Sequence, residues 1–152
     1  MVIWAMSEPR MDDLYDEDVL AWSERQAGLL RRFAAGENVN ARPDWDHIIE
    51  EIEDVGSERL HAVESLLVQA LVHLLKLQAW PEARDAEHWD GEARGFRDDA
   101  AARFTPSMRQ KIDVGRLYAR ALRRLPRTID GQSPLALPQT CPWTLDGLLG
   151  ED

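Results

Sequence analysis

A chain of 152 residues, 44% hydrophobic and 30% charged, has the composition of one globular domain, so a single helical domain over residues 1–152 is expected. Its formal net charge of -10 argues against nonspecific nucleic-acid binding. The lone cysteine, Cys141, excludes an intramolecular disulfide and points to a reducing, cytoplasmic setting.

Residues 1–10 hold some apolar side chains but no basic leader, so no signal peptide is read there, and residues 1–12 are expected to be flexible. Asp13 or Asp16 then caps a first helix, along which Val19, Trp22, Gln26, Leu29, Leu30 and Phe33 recur at spacings of three and four. Gly36 ends it. After a polar connection, Asp44 caps a second segment whose Trp45, Ile48, Ile49 and Ile52 share one face, which is predicted to be buried. Gly56-Ser57 reads as a break or kink. From Leu60 the apolar residues Val63, Leu66, Leu67, Val68, Leu71, Val72, Leu74 and Leu75 cover most of the helix circumference, the pattern of a central helix packed on several sides. Gln69, His73 and Lys76 interrupt it. The apolar run falls short of the roughly 20 residues that span a bilayer, and Trp80-Pro81 stops the helix.

Residues 87–103 form a weaker helix on Trp89, Ala93, Phe96 and Ala100, although Gly91 and Gly95 each cost about 1 kcal/mol relative to alanine. Thr105-Pro106 opens a further helix with Met108, Ile112, Gly115, Tyr118, Ala119, Leu122 and Leu125 on one stripe. Residues 131–152 carry Pro134, Pro138 and Pro142 and read as an extended tail before a short helix around residues 145–149. No segment alternates like a strand. The expected fold is all-α: an antiparallel helical bundle of about five helices with an extended Pro-rich C-terminal tail and a short last helix. Trp22, Ile49, Ile52, Leu67, Leu71, Leu74 and Leu122 are the expected core.

Several phrases stand out together: Leu14-Tyr15 with Asp18 and Trp22, residues 48–53, His73-Leu74-Leu75-Lys76, Trp89 with Arg97, Pro106-Ser107-Met108-Arg109, and residues 141–145. In that order and spacing the chain resembles a bacterial family of uncharacterised helical proteins, the domain of unknown function numbered twenty-nine. The resemblance spans about residues 14–149. It implies an all-helical fold and carries no activity, cofactor or functional residue with it.

His73 and Lys76 interrupt an apolar helix, and burying them unpaired costs several kcal/mol. Glu50, Glu51 and Glu53 are the expected partners in a structural polar cluster between helices. A metal centre is the alternative, because His47, Glu50, Glu51, Asp54, Glu58 and His61 fall at helical spacing and include one Glu-x-x-His unit. Di-iron bundles need two such units, and the stripe is centred more than about 90° from Ile48 and Ile52, so it is expected to face solvent.

Charge is uneven along the chain. Residues 1–58 hold fifteen acids against five arginines, whereas residues 105–130 hold six arginines and Lys111 against Asp113 and Asp130. The row Arg109, Arg116, Arg120, Arg123, Arg124 and Arg127 lacks the interleaved exposed aromatics of a nucleic-acid surface. Pairing with acids, within the chain or between copies, is expected instead. Cys141 is expected to pack as a small hydrophobe. No catalytic residue and no cofactor are predicted. The expected function is that of a non-catalytic, self-associating helical interaction domain, a homo-oligomer that can take a protein partner and meets neither membrane nor nucleic acid. A metal-dependent helical-bundle enzyme is the alternative.

Overall fold

In the computed structural model, which describes residues 11–151, Trp45–Ala79 is one helix of 35 residues. The break or kink expected at Gly56-Ser57 is replaced by unbroken helix. A glycine costs only about 1 kcal/mol inside a helix, and the turns on either side carry that cost. The helices follow in order as α1 Met11–Glu17, α2 Val19–Ala34, α3 Trp45–Ala79, α4 Ala86–Arg103, α5 Val114–Arg123 and α6 Leu145–Leu149, with a 3-10 turn at Pro106–Met108. Among the described residues the only β pairing is an isolated bridge between Ile129 and Gln132, so the chain is an all-α helical bundle. Two compact units divide between Val55 and Gly56, with α3 running through both. The expected flexibility of residues 1–12 lies, for residues 1–10, outside the described residues.

In the first unit the single predicted first helix is two. Asp18 leaves the helical conformation between α1 and α2, and its carboxylate accepts the N–H of Ala21 at 3.0 Å, making it the N-cap of α2 in place of Asp13 or Asp16. Trp22, Gln26 and Leu29 are buried along α2, and Gly36 follows its end at φ +75°.

The face of α3 expected to be buried is exposed instead. Ile48 is buried, yet Trp45, Ile49 and Val55 are open and Ile52 is 68% exposed. At 100° per residue, Asp44, His47, Ile48 and Glu51 make up one flank, and Trp45, Ile49 and Ile52 lie beside it. The first flank is the one that meets α1 and α2, because those helices bring Tyr15, Trp22 and Gln26, side chains with polar tips that need polar partners.

The second unit is built on the C-terminal half of α3. Val63, Leu67, Val68, Leu71, Val72 and Leu75 pack with Ala100 of α4, Met108, Ile112, Leu117, Tyr118 and Ala121 from the 3-10 turn to α5, and Leu148 and Leu149 of α6. Leu74 and Leu122 are partly buried at its edge. The long helix expected from Pro106 is interrupted: Asp113 takes extended backbone and accepts the N–H of Arg116 at 3.1 Å, starting α5 afresh. The tail is pinned to the helices. The Trp80 indole donates to the Gln132 carbonyl at 2.8 Å, the Leu135 N–H to the Ala79 carbonyl at 2.9 Å, and the Tyr118 hydroxyl to the Pro138 carbonyl.

At concentrations low enough for the chain to be monomeric, Leu71→Ala is expected to destabilise the protein by about 2–5 kcal/mol, while Ile52→Ala should stay within about 0.5 kcal/mol. Urea unfolding followed by circular dichroism measures both. A large loss from Ile52→Ala would mean that its side chain is covered.

Candidate functional site

The charged and aromatic side chains gather into separate clusters, one in each unit. In the first unit the Asp44 carboxylate is the hub. It accepts the Trp22 indole N–H at 2.9 Å and faces His47 Nδ1 at 2.7 Å, while the Asp44 backbone N–H donates to Gln26 Oε1 at 2.9 Å. Burial of this carboxylate works to raise its pKa, but the hydrogen bonds from His47 and Trp22 outweigh that and hold it below the ordinary carboxylate value. The Tyr15 ring stacks on the His47 ring with centroids 3.9 Å apart and meets the Trp22 ring edge-on. Its hydroxyl donates to Glu51 at 2.6 Å. That bond, with partial burial and the charges of Glu51, Glu50 and Asp54, pushes the Tyr15 pKa up to about 12. The cluster ties α1 and α2 to the start of α3.

In the second unit His73 is buried among apolar neighbours, 5.4 Å from the Phe96 ring. Its Nδ1 lies 2.8 Å from the Gln69 carbonyl one turn back, and its Nε2 lies 2.6 Å from Glu92 of α4. The other oxygen of Glu92 lies 3.3 Å from His88 Nε2, so the carboxylate is held between two imidazoles. Lys76 Nζ sits 5.0 Å from the centroid of the buried Trp89 ring, a cation–π contact.

The expected cluster of Glu50, Glu51, Glu53, His73 and Lys76 is therefore corrected. His73 and Lys76 find their partners on α4, Glu51 takes the Tyr15 hydroxyl, and Glu50 and Glu53 are exposed. Each of these side chains is answered by helices of its own unit. Sequence reasoning missed Glu92, although its spacing from His88 and its place on the Trp89 helix were available as signals. Of the metal alternative, His47 is turned toward Asp44 and Tyr15, and Glu50, Asp54, Glu58 and His61 are exposed along α3. Among the described residues no group of three or more His, Cys, Asp or Glu side chains is arranged to hold a metal ion.

Two members of the arginine row pair with acids inside the chain. Arg109 bonds to Asp146 and Glu151, and Arg116 to the buried Glu64. Arg97, which lay outside the expected row, donates to the carbonyls of Leu148 and Gly147 at 2.8 and 2.6 Å and so closes the end of α6. Cys141 is half-buried with its Sγ 3.3 Å from the Trp143 carbonyl, and burial pushes the thiol up, away from the thiolate a nucleophile needs.

Two outcomes follow. Because the folded Tyr15 value lies above the ordinary 10.0, the stability this bond contributes is complete below pH 10 and is lost as pH rises toward 12. Tyr118, the second of two tyrosines, is also raised, by burial. Near-ultraviolet tyrosinate absorbance at pH 10 should thus stay below half of full ionisation, and Glu51→Gln should move the Tyr15 titration back toward lower pH. A Glu51→Gln titration matching the parent would separate the two groups. In a double-mutant cycle, His73→Phe and Glu92→Gln should couple by about 1 kcal/mol, whereas Glu51→Gln and Lys76→Met should add within about 0.5 kcal/mol. Coupling in the second pair would overturn the separation of the clusters.

Comparison with known proteins supports the helical fold. No curated protein matches the chain. A crystal structure of an alpha-helical protein of unknown function from Rhodospirillum rubrum is similar to it with a TM-score of 0.62 and 28% sequence identity, covering 96% of this chain and 92% of that one. Residues 14–152 match the family described as "Domain of unknown function DUF29", so a match over nearly the whole length joins the phrases noted in the sequence, and the chain belongs to the DUF29 family.

Proposed function

We propose that the chain is a non-catalytic, self-associating helical interaction domain of the cytoplasm, and that its first partner is a second copy of itself. One observation carries the reading. Of the eight large hydrophobic side chains exposed among the described residues, seven lie between Val19 and Val55: Val19, Leu20, Phe33, Trp45, Ile49, Ile52 and Val55. Isolated exposed apolar residues are ordinary, but Trp45, Ile49 and Ile52 share one flank of a helix. Covering that flank removes apolar surface from water at about 25 cal/mol per Å².

Charge supports a copy of the same chain as the occupant. Residues 1–58, the stretch of sequence that holds the apolar flank, carry fifteen acids against five arginines, and the basic segment 105–130 offers the complementary sign. A two-fold dimer makes such a contact twice. The clusters around Asp44 and Glu92 then serve as braces that hold the presenting helices, and not as reaction centres.

Light scattering at micromolar concentrations is expected to give about twice the chain mass of 17.4 kDa. The double variant Ile49→Glu/Ile52→Glu should fall to the monomer mass with its helical signal unchanged, because both side chains are already exposed. A parent monomeric at every concentration, or a variant with the parent's mass, would refute the reading.

A further inference from the structure

His61, Glu64 and Ser65 of α3 and Arg116 and Arg120 of α5 line an open, mostly polar pocket of about 340 Å³, wholly within the second unit. Each helix supplies a pair of side chains one turn apart: His61 with Ser65, and Arg116 with Arg120. Glu64 is only 3% exposed, and its carboxylate accepts a hydrogen bond from Arg116 Nη2 at 2.8 Å. A charged carboxylate is kept buried here by one edge of one guanidinium.

That bond fixes Arg116 and leaves its remaining N–H groups unspent. Arg120 is half-buried, and neither it, His61 nor Ser65 has a side-chain partner among the described residues. A nearby acid, Asp113, is occupied in capping α5 through the Arg116 backbone N–H. Four side chains able to donate thus surround one opening, with two arginines against one carboxylate that is already paired. The surrounding segment 105–130 is itself rich in arginine, which adds a positive field at the mouth.

A carboxylate ligand has two oxygens to offer, whereas donors from two helices call for an anion with oxygens pointing several ways. Guanidinium forks match phosphoryl oxygens in geometry as well as charge. We propose that this pocket binds a phosphoryl group, as free phosphate or as the phosphate ester of a small molecule. Arg120 and the free edge of Arg116 grip the oxygens, His61 and Ser65 donate from the opposite wall, and Glu64 is the positioning residue that holds Arg116.

Titration of the full chain with inorganic phosphate, followed by amide chemical shifts at constant ionic strength in chloride, tests the proposal. Saturable shifts at Ser65 and along α5 are expected. Arg120→Gln should weaken binding roughly tenfold or more, and His61→Ala, at an exposed position, should weaken it less. Arg94→Gln, outside the pocket, should leave it unchanged. A response that never saturates, an Arg120→Gln or His61→Ala protein that both bind like the parent, or an equal loss from Arg94→Gln would overturn it. The last result would assign the effect to overall charge. Replacing phosphate by a phosphate monoester distinguishes the two sources: tighter binding of the ester favours a small-molecule ligand, and equal binding favours the free ion.

Discussion

The structure depends on the continuity of α3. A single helix of 35 residues cannot fold back on itself, so side chains on its two halves must each find partners from other helices. The N-terminal half takes them from α1 and α2, and the C-terminal half from α4, α5 and α6. Several polar side chains of α3 are answered by residues distant in sequence. Tyr15 reaches Glu51, Arg116 reaches Glu64, and Glu92 reaches His73. Among the described residues no buried side-chain nitrogen or oxygen lacks a hydrogen-bond partner. An unanswered group in such surroundings costs about 1–3 kcal/mol, so each pair fixes an arrangement as well as stabilising it.

Polar and aromatic contacts are unequally shared between the units. The second unit has a continuous apolar core, in which His73 and Glu64 are exceptions at the margin. Among its described residues the first has few buried hydrophobics, and aromatic rings with hydrogen-bonding tips gather around Asp44. Directional contacts of this kind specify geometry well but bury little apolar area. The apolar flank left open on α3 belongs to this lightly packed unit.

The legibility of the sequence followed the same division. Where a helix was apolar almost all round, as from Val63 to Leu75, periodicity identified the core directly, and Trp80-Pro81 marked its end. Where the packed flank was polar and aromatic, the hydrophobic pattern pointed to the wrong side: Ile49 and Ile52 were expected inside, and Asp44, His47 and Glu51 do the packing. Capping by Asp113 was hidden because Thr105-Pro106 offered a stronger start signal for the same stripe. The partner of His73 could not be read from periodicity, because the pattern of α3 alone does not say that Glu92 of α4 lies against it. The role of Arg97 was not legible, because carbonyls at a helix end leave no trace in composition.

The placement of α6 also bears on how the protein comes into being. Leu148 and Leu149 fill the same core as Leu67, Leu71 and Leu117, so that core stays unfinished until α6 has been synthesised. The contacts of the first unit lie between residues 15 and 51 and can close much earlier, as the chain leaves the ribosome. During translation the two halves of α3 thus mature at different times, and the apolar half waits unprotected for the last helix. This is the interval in which a nascent chain is most exposed to aggregation or to capture by a chaperone.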